Sequence, residues 1–341
     1  MLHDTNERAF YDQLRRATSR KSPEEPRAPV INFRAPAVCA AAPPFKALPG
    51  LALSAALPAQ LVVKTPSNRR RQMSNERQLK RDLPVVILCG GQGYRLREET
   101  EYRPKPMVEI GGQPILWHIM KIYGHFGLER FVLCLGYKAW TIKQYFLRYH
   151  EVMRDFTIAM DRIDGPVFHN NKGEETWRVT CAETGADTAT GARLWQVRDY
   201  IDTETFLFTY GDAVGNINID KLLDYHFAQS RIATVTGVHP TSRYGEMKVQ
   251  DGVVTEFNEK PTVAEGVVSG GFFVFQRQVF DYLNDDPQLF LELDPLRRLA
   301  RDGQLSVYLH EGAWDPMDTY RDYLHLNEMW KSGRALWKVW E

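Results

Sequence analysis

Apolar residues in the second part of this chain gather into short unbroken runs, each followed by glycine or by a stretch of helical period. Leu83–Cys89, LPVVILC, is apolar throughout and stops at glycines, the pattern of a strand covered on both faces. Pro114–Phe126 changes to helical spacing, with Ile115, Ile119, Ile122 and Phe126 on one face and Pro114 suited to the first turn. Arg130–Leu135 predicts a second strand and Ala139–Tyr149 a second helix. Phe206–Tyr210 predicts a buried strand, Asp220–Gln229 a helix and Ala233–Val238 a further strand. Met247–Glu256 predicts a hairpin turning at Gln250-Asp251-Gly252, because Asp-Gly suits a tight primed turn. Gly270–Phe275 and Leu305–His310 predict two more strands, and Pro295–Arg301 and Tyr320–Lys331 two helices. Strands alternating with helices define an α/β sheet, so 83–341 is expected to be one α/β domain with a smaller β-rich part.

The first 82 of the 341 residues break this picture. They hold 9 of the 19 prolines, spaced so that neither a long helix nor a central strand can form between Ser22 and Ser67. Asn6–Arg16 could form a short helix. Residues 1–82 are expected to be a disordered Ala/Pro-rich extension, with a targeting or partner-binding arm as the sharper alternative. Met73 is a possible natural start, and removal of residues 1–72 is expected to leave a folded, active protein. Lysine plus arginine equals aspartate plus glutamate at 43 each, but residues 1–82 carry net +8 and residues 83–341 net −8. Such a balance argues against a nucleic-acid partner. No run of 18 apolar residues exists, so no membrane-spanning helix is expected. The four cysteines, Cys39, Cys89, Cys134 and Cys181, make no CxxC pair and read as reduced thiols of a cytoplasmic protein. The nine histidines show no zinc-ligand spacing.

Five short motifs carry candidate chemistry. GGQGYRL, Gly90–Leu96, follows the first strand, with Lys105 between two prolines shortly after. Its glycines allow backbone N–H groups close to a ligand, and Arg95 and Lys105 suit phosphate oxygens. A dinucleotide loop needs GxGxxG and a Walker loop needs GK[ST], and both are absent. Asp212 follows the strand FLFTY, and Asp318 lies in WDPMDT. Two such carboxylates could hold Mg²⁺ with a triphosphate, or could be helix caps. Glu259-Lys260-Pro261 ends the hairpin, Gly270-Gly271 opens a strand, and TGADTATGAR, Thr184–Arg193, reads as a small-residue loop that wraps a ligand or lies on the surface. Trp314, Trp330, Trp337 and Trp340 read as packing or interface aromatics, and the LWKVWE ending as a contact for a neighbouring subunit.

In this order the motifs resemble the sugar-phosphate nucleotidyltransferases, and more narrowly the glucose-1-phosphate cytidylyltransferases, from Leu83 to Glu341. The resemblance implies a Rossmann-like (GT-A-like) mixed sheet flanked by helices with a small β-rich sugar-binding part. It implies cytidylyl transfer from CTP to α-D-glucose 1-phosphate in nucleotide-sugar biosynthesis, Mg²⁺ as cofactor, and a homo-oligomer. UTP, dTTP or another sugar 1-phosphate, or a non-catalytic nucleotide-sugar sensor, remain alternatives. The implied substrate-binding residues are Leu88, Cys89, Gly90, Gly91, Gln92, Gly93, Tyr94, Arg95, Lys105, Thr188, Arg193, Gly211, Glu259, Lys260, Gly270 and Gly271. Arg95, Lys105 and Asp212 are the implied catalytic residues, and Asp212 and Asp318 the metal ligands. Tyr94, Ala192, Ala213 and Ser269 stand where the family usually has Thr, Gly, Gly and Asn.

Overall fold

The computed structural model describes residues 82–161, 165–169, 175–240, 246–250, 253–258 and 266–341. Seven strands form one mixed sheet: β1 (Pro84–Cys89), β2 (Arg130–Leu135), β3 (Arg178–Glu183), β4 (Thr205–Tyr210), β5 (Ala233–Val238), β6 (Val268–Gln276) and β7 (Leu305–His310). Their spatial order is β7-β5-β6-β4-β1-β2-β3, and only β6 runs against the rest. The parallel strands therefore point their carboxyl ends the same way, where open α/β sheets gather ligand loops.

The alternation hidden inside the apolar runs becomes visible once both faces are covered. Val85, Ile87 and Cys89 of β1 look to one core, and Val86 and Leu88 to the other. The first core is closed by α1 (Ile115–His125), α2 (Ala139–Leu147), α4 (Ile219–Gln229) and α6 (Tyr320–Lys331). The second is closed by α3 (Thr190–Gln196), the loop around Leu291 and α5 (Asp294–Arg301). Each large side chain removed from water in this way contributes about 1.5–3 kcal/mol before entropy is charged against it.

Capping chemistry sets several boundaries. Asn218 accepts from the Lys221 amide at 3.0 Å and starts α4 one residue before the expected Asp220. Thr319 and Asp322 form a reciprocal capping box at the head of α6. Pro114 lies just outside α1 rather than in its first turn. Two elements depart from expectation: β3 is a polar edge strand without an apolar run, and Thr190–Gln196 is a helix where a loop was expected. The hairpin is present as Glu246–Gln250 paired with Val253–Asn258, and the residues at its turn, Asp251 and Gly252, lie outside the described set. Residues 1–81 of the extension also lie outside it, so its expected disorder and the start at Met73 are untouched.

The aromatic ending covers its own chain, not an exposed face awaiting a partner. Trp337 is fully buried against α1, and Trp340 meets Trp117 edge-on at 5.7 Å between ring centroids. Trp337 Nε1 donates to His118 Nδ1 at 3.4 Å, while His118 Nε2 donates to the Ile110 carbonyl at 2.8 Å. Burial pulls the His118 imidazole down to about 4, so it is neutral here. No helix among the described residues is long and apolar enough to cross a membrane. Cys89 and Cys134 are buried free thiols, and Cys181 is half-buried.

Candidate active site

At the carboxyl ends of β1 and β4 the chain opens a cleft of about 600 Å³. The first loop lines it from Leu88 through Cys89, Gly90, Gly91, Gln92, Gly93 and Tyr94 to Arg95, joined by Lys105, Thr188, Arg193, Gly211, Asp212 and Asp318. Buried Leu96 anchors the loop, and Thr100 Oγ1 donates to the carbonyls of Gly93 at 3.0 Å and Leu96 at 2.8 Å. Tyr94, which replaces the family's Thr, is exposed and bonds Gln92. Much of its bulk faces solvent at the cleft's rim.

A short ribbon brings the two distant carboxylates together. Ala213–Gly215 pairs antiparallel with Trp314–Pro316, and the Met317 amide donates to the Asp212 carbonyl at 2.9 Å. This sets Asp318 beside Asp212. Between them lies Lys105, its Nζ 2.6 Å from Asp212 Oδ2 and 2.8 Å from Asp318 Oδ1. Burial alone would lower the Lys105 ammonium, but the two carboxylates hold it above the ordinary lysine value. Arg95 reaches the same Asp318 oxygen at 3.2 Å with its side chain 75% exposed. The alternative that Asp318 caps α6 fails, because Thr319 performs that role. Asp212 sits in the turn between β4 and the ribbon, so it is not a helix cap either.

Two carboxylates converging on one point offer hard oxygen donors, and among the described residues no group of three or more potential metal ligands exists. Mg²⁺ is held in this manner when substrate phosphates and water complete its shell. Asp212 and Asp318 thus fit that ion chemically.

Arg193, implied by the resemblance to bind substrate, lines the cleft and also bonds its wall. Its guanidinium is buried and donates to the carbonyls of Leu135 (3.1 Å), Gly90 (3.2 Å) and Ala186 (3.1 Å) and to Thr184 Oγ1 (2.7 Å). These four bonds staple the ends of β1 and β2 to the loop after β3. A Cβ at position 90 would come within 2.0 Å of Arg193 Nη1, so Gly90 makes room for the arginine. Gly270 and Gly271 do not line this cleft. Gly271, at φ 77°, lies under the Tyr210 ring, where a Cβ would come within 2.6 Å of Cδ2. Trp314 Nε1 donates to the Gly270 carbonyl at 2.8 Å. Gly271 therefore admits the Tyr210 ring, and Gly270 the Val238 side chain, which a Cβ would meet at 2.8 Å. Glu259 and Lys260 lie outside the described residues.

Tyr210 and Phe290 also border the cleft and were not read from the sequence. The Tyr210 hydroxyl and Thr190 Oγ1 both donate to the Glu292 carboxylate. Tyr210 could have been found as the polar end of FLFTY; Phe290 carries no local signal.

The profile of the family described as Nucleotidyl transferase matches residues 84–332, which contain every cleft residue named above. The chain belongs to the nucleotidyl transferase family. It is 47% identical over 258 residues to the probable glucose-1-phosphate cytidylyltransferase of Bacillus subtilis, covering 76% of this chain and all of that protein. It is 45% identical over 260 residues to the glucose-1-phosphate cytidylyltransferase of Salmonella typhi, again covering 76% of this chain and all of that protein. The crystal structure of HddC from Yersinia pseudotuberculosis superposes with a TM-score of 0.52 at 24% identity, covering 73% of this chain and 99% of that one. That likeness establishes the nucleotidyl transferase fold.

Proposed function

We propose that this nucleotidyl transferase moves the cytidylyl group of CTP to α-D-glucose 1-phosphate, giving CDP-glucose and pyrophosphate. The observation that carries the chemistry is the Lys105 ammonium held between Asp212 and Asp318 at a glycine-lined cleft. The choice of base and sugar rests on the relatives at 45–47% identity. An oxygen of the sugar 1-phosphate forms a bond to the α-phosphorus of CTP, and the bond from that phosphorus to the bridging oxygen of pyrophosphate breaks. The attacking oxygen is already anionic at neutral pH, so no general base is required.

Catalysis then consists of positioning and charge neutralisation. Lys105 and Arg95 neutralise the triphosphate and the departing pyrophosphate. Asp212 and Asp318 would hold Mg²⁺, which would supply positive charge to neutralise the phosphates. Arg193 fixes the loop on which the nucleotide rests. Glu259 and Lys260 take the sugar hydroxyls and the sugar phosphate. Both substrates are polyanions that do not cross membranes unaided, which fits a cytoplasmic enzyme of nucleotide-sugar synthesis, read here as a homo-oligomer.

The test is pyrophosphate release from four nucleoside triphosphates against several sugar 1-phosphates. CTP with glucose 1-phosphate should exceed every other pair. Release with UTP or dTTP, or with another sugar, would reassign the substrates, and release with none would turn the reading to a nucleotide-sugar sensor. Light scattering at micromolar concentration tests the oligomer, and a mass near 39 kDa would refute it.

A further inference from the structure

The Lys105 ammonium stands where a divalent cation would take its protein ligands. Its two short contacts go to Asp212 Oδ2 and Asp318 Oδ1, on the only pair of carboxylates that the proposed reaction gives to the metal. Mg²⁺ binds carboxylate oxygens at about 2.0–2.1 Å and tolerates little distortion. An ammonium already bonded to the same oxygens would then lie a few Å from a doubly charged ion, in a site where the lysine side chain is only 12% exposed and repulsion is poorly screened. The two cations therefore exclude one another. Arg95 adds to the exclusion, since it shares Asp318 Oδ1 with Lys105.

The backbone around Lys105 supports an exchange of partners without rearrangement of the fold. Lys105 opens a 3-10 turn, Lys105–Met107, with Pro104 before it and Pro106 within it, and Pro106 and Met107 are buried. Proline fixes φ and restricts the residue before it, so the base of the side chain is held in place. The four-carbon stem above it is free to swing its three donors from carboxylate to phosphate. Asp212 is held through its own carbonyl by the Met317 amide, so its backbone stays in position when the lysine leaves.

We propose that Lys105 is a placeholder for the metal: in the nucleotide-free enzyme its ammonium neutralises Asp212 and Asp318 and keeps divalent cations out. The triphosphate draws the ammonium away and brings phosphate oxygens to complete the vacated metal shell. Metal and nucleotide then bind with positive coupling, and by thermodynamic reciprocity each strengthens the other. The inference rests on the assignment of Asp212 and Asp318 as metal ligands, and goes beyond it by giving the order in which the site fills.

The experiment titrates Mn²⁺ alone into nucleotide-free enzyme at pH 8, following free Mn²⁺ by its paramagnetic resonance. Lys105→Met should bind Mn²⁺ at least about tenfold more tightly than wild type, within the usual range of coupling between sites. Lys105→Arg, which restores the charge, should return to weak binding, and adding Asp212→Asn to Lys105→Met should remove the gain. Equal affinity in wild type and Lys105→Met overturns the placeholder role. Lys105→Gln replaces Lys105→Met if the latter does not fold. Wild type alone also decides: stoichiometric Mn²⁺ binding without nucleotide, as tight as with a non-hydrolysable CTP analogue, overturns the proposal. The metal assignment fails separately, if Asp212→Asn leaves Mn²⁺ binding in the presence of the analogue unchanged.

Discussion

Lys105 and Arg193 border the same cleft, and burial opposes the charge of both, yet the balance falls in opposite directions. Two carboxylates surround Lys105 and hold its proton above the ordinary lysine value. Arg193 bonds three carbonyls and a hydroxyl, and burial pulls it below the ordinary arginine value. A carboxylate pair can trade one cation for another. A set of carbonyls aimed at a planar fork accepts nothing else as well. The first arrangement suits exchange during turnover, and the second suits a fixed wall. His118 adds a third solution, in which a buried base gives up its charge and keeps both ring nitrogens bonded.

The largest expected effect tests the exchangeable side. Asp212→Asn should lower kcat by about 10²–10³, the scale for loss of one preorganised charge. Its melting temperature should change little, because the Asp212 side chain is partly exposed and its backbone bond to Met317 remains. Steady-state rates and thermal melts on one preparation check this. Near-normal kcat would remove Asp212 from the mechanism.

The fixed side should fail in stability first. Arg193→Met takes one donor from each of the carbonyls of Gly90, Leu135 and Ala186 and from the Thr184 hydroxyl, while Gly90 keeps the Tyr137 amide and Leu135 the Thr184 amide. The Ala186 carbonyl costs about 1–3 kcal/mol when its donor goes and each other lost bond about 0.5–1.5 kcal/mol, less where water enters from the cleft, so a net loss of about 3 kcal/mol is expected. Arg193→Lys should not rescue it, since a point cation cannot reach four acceptors in one plane. Urea unfolding measures both. A variant with wild-type stability but weakened nucleotide binding would make Arg193 a direct ligand contact instead.

The third solution has a pH signature. The folded His118 has a value of about 4 against 6.5 in the unfolded chain, so the unfolded state binds more protons between these limits. The stability it contributes is complete above pH 6.5 and is lost as the pH falls toward 4, by about 1.4 kcal/mol per pH unit. His226, also pulled down to about 4 by burial, adds a second proton to the same window. Unfolding at pH 6.5 and 5.5 should show the fall, and His118→Gln should flatten part of it.

The sequence made some of this legible and concealed the rest for identifiable reasons. Arg130–Leu135, Ala233–Val238 and Tyr320–Lys331 have the same bounds in pattern and structure, because near-continuous burial or a capping box leaves little choice, and Leu305–His310 matches as an edge strand whose apolar residues stayed legible though half-exposed. β3 escaped because an edge strand with mostly half-exposed or exposed residues has no apolar run to detect. Thr190–Gln196 escaped because its early turns hold Thr, Gly and Ala, and docking on the chain around Leu289 supplies what propensity does not. Asp212, Asp318, Arg95 and Lys105 were legible as residue types in polar breaks. Their convergence was not, since it depends on the Ala213–Gly215 ribbon. The four bonds that Arg193 makes to the ends of the strands were not legible, because a motif reports that an arginine is present, not which way its donors face.

The smallest expected effect separates the two cations that share Asp318. Arg95 is 75% exposed and meets Asp318 Oδ1 at 3.2 Å, whereas Lys105 meets the same oxygen at 2.8 Å from a side chain 12% exposed. An exposed ion pair contributes about 0–1 kcal/mol, because water screens it and the side chain loses freedom to make it. Arg95→Ala should therefore leave urea stability within about 1 kcal/mol of wild type. Its kinetic effect should be larger than its structural one, since a mobile fork can follow the pyrophosphate as it leaves. A loss of about tenfold in kcat/KM is expected, shrinking as salt rises from 0.01 to 1 M and the screening length falls from about 30 to 3 Å. Lys105→Ala should show a greater kinetic loss and a weaker dependence on salt, because its charge acts from a more enclosed position. Equal salt dependence in the two variants would mean that burial does not distinguish them, and that the cleft handles both cations as surface charges.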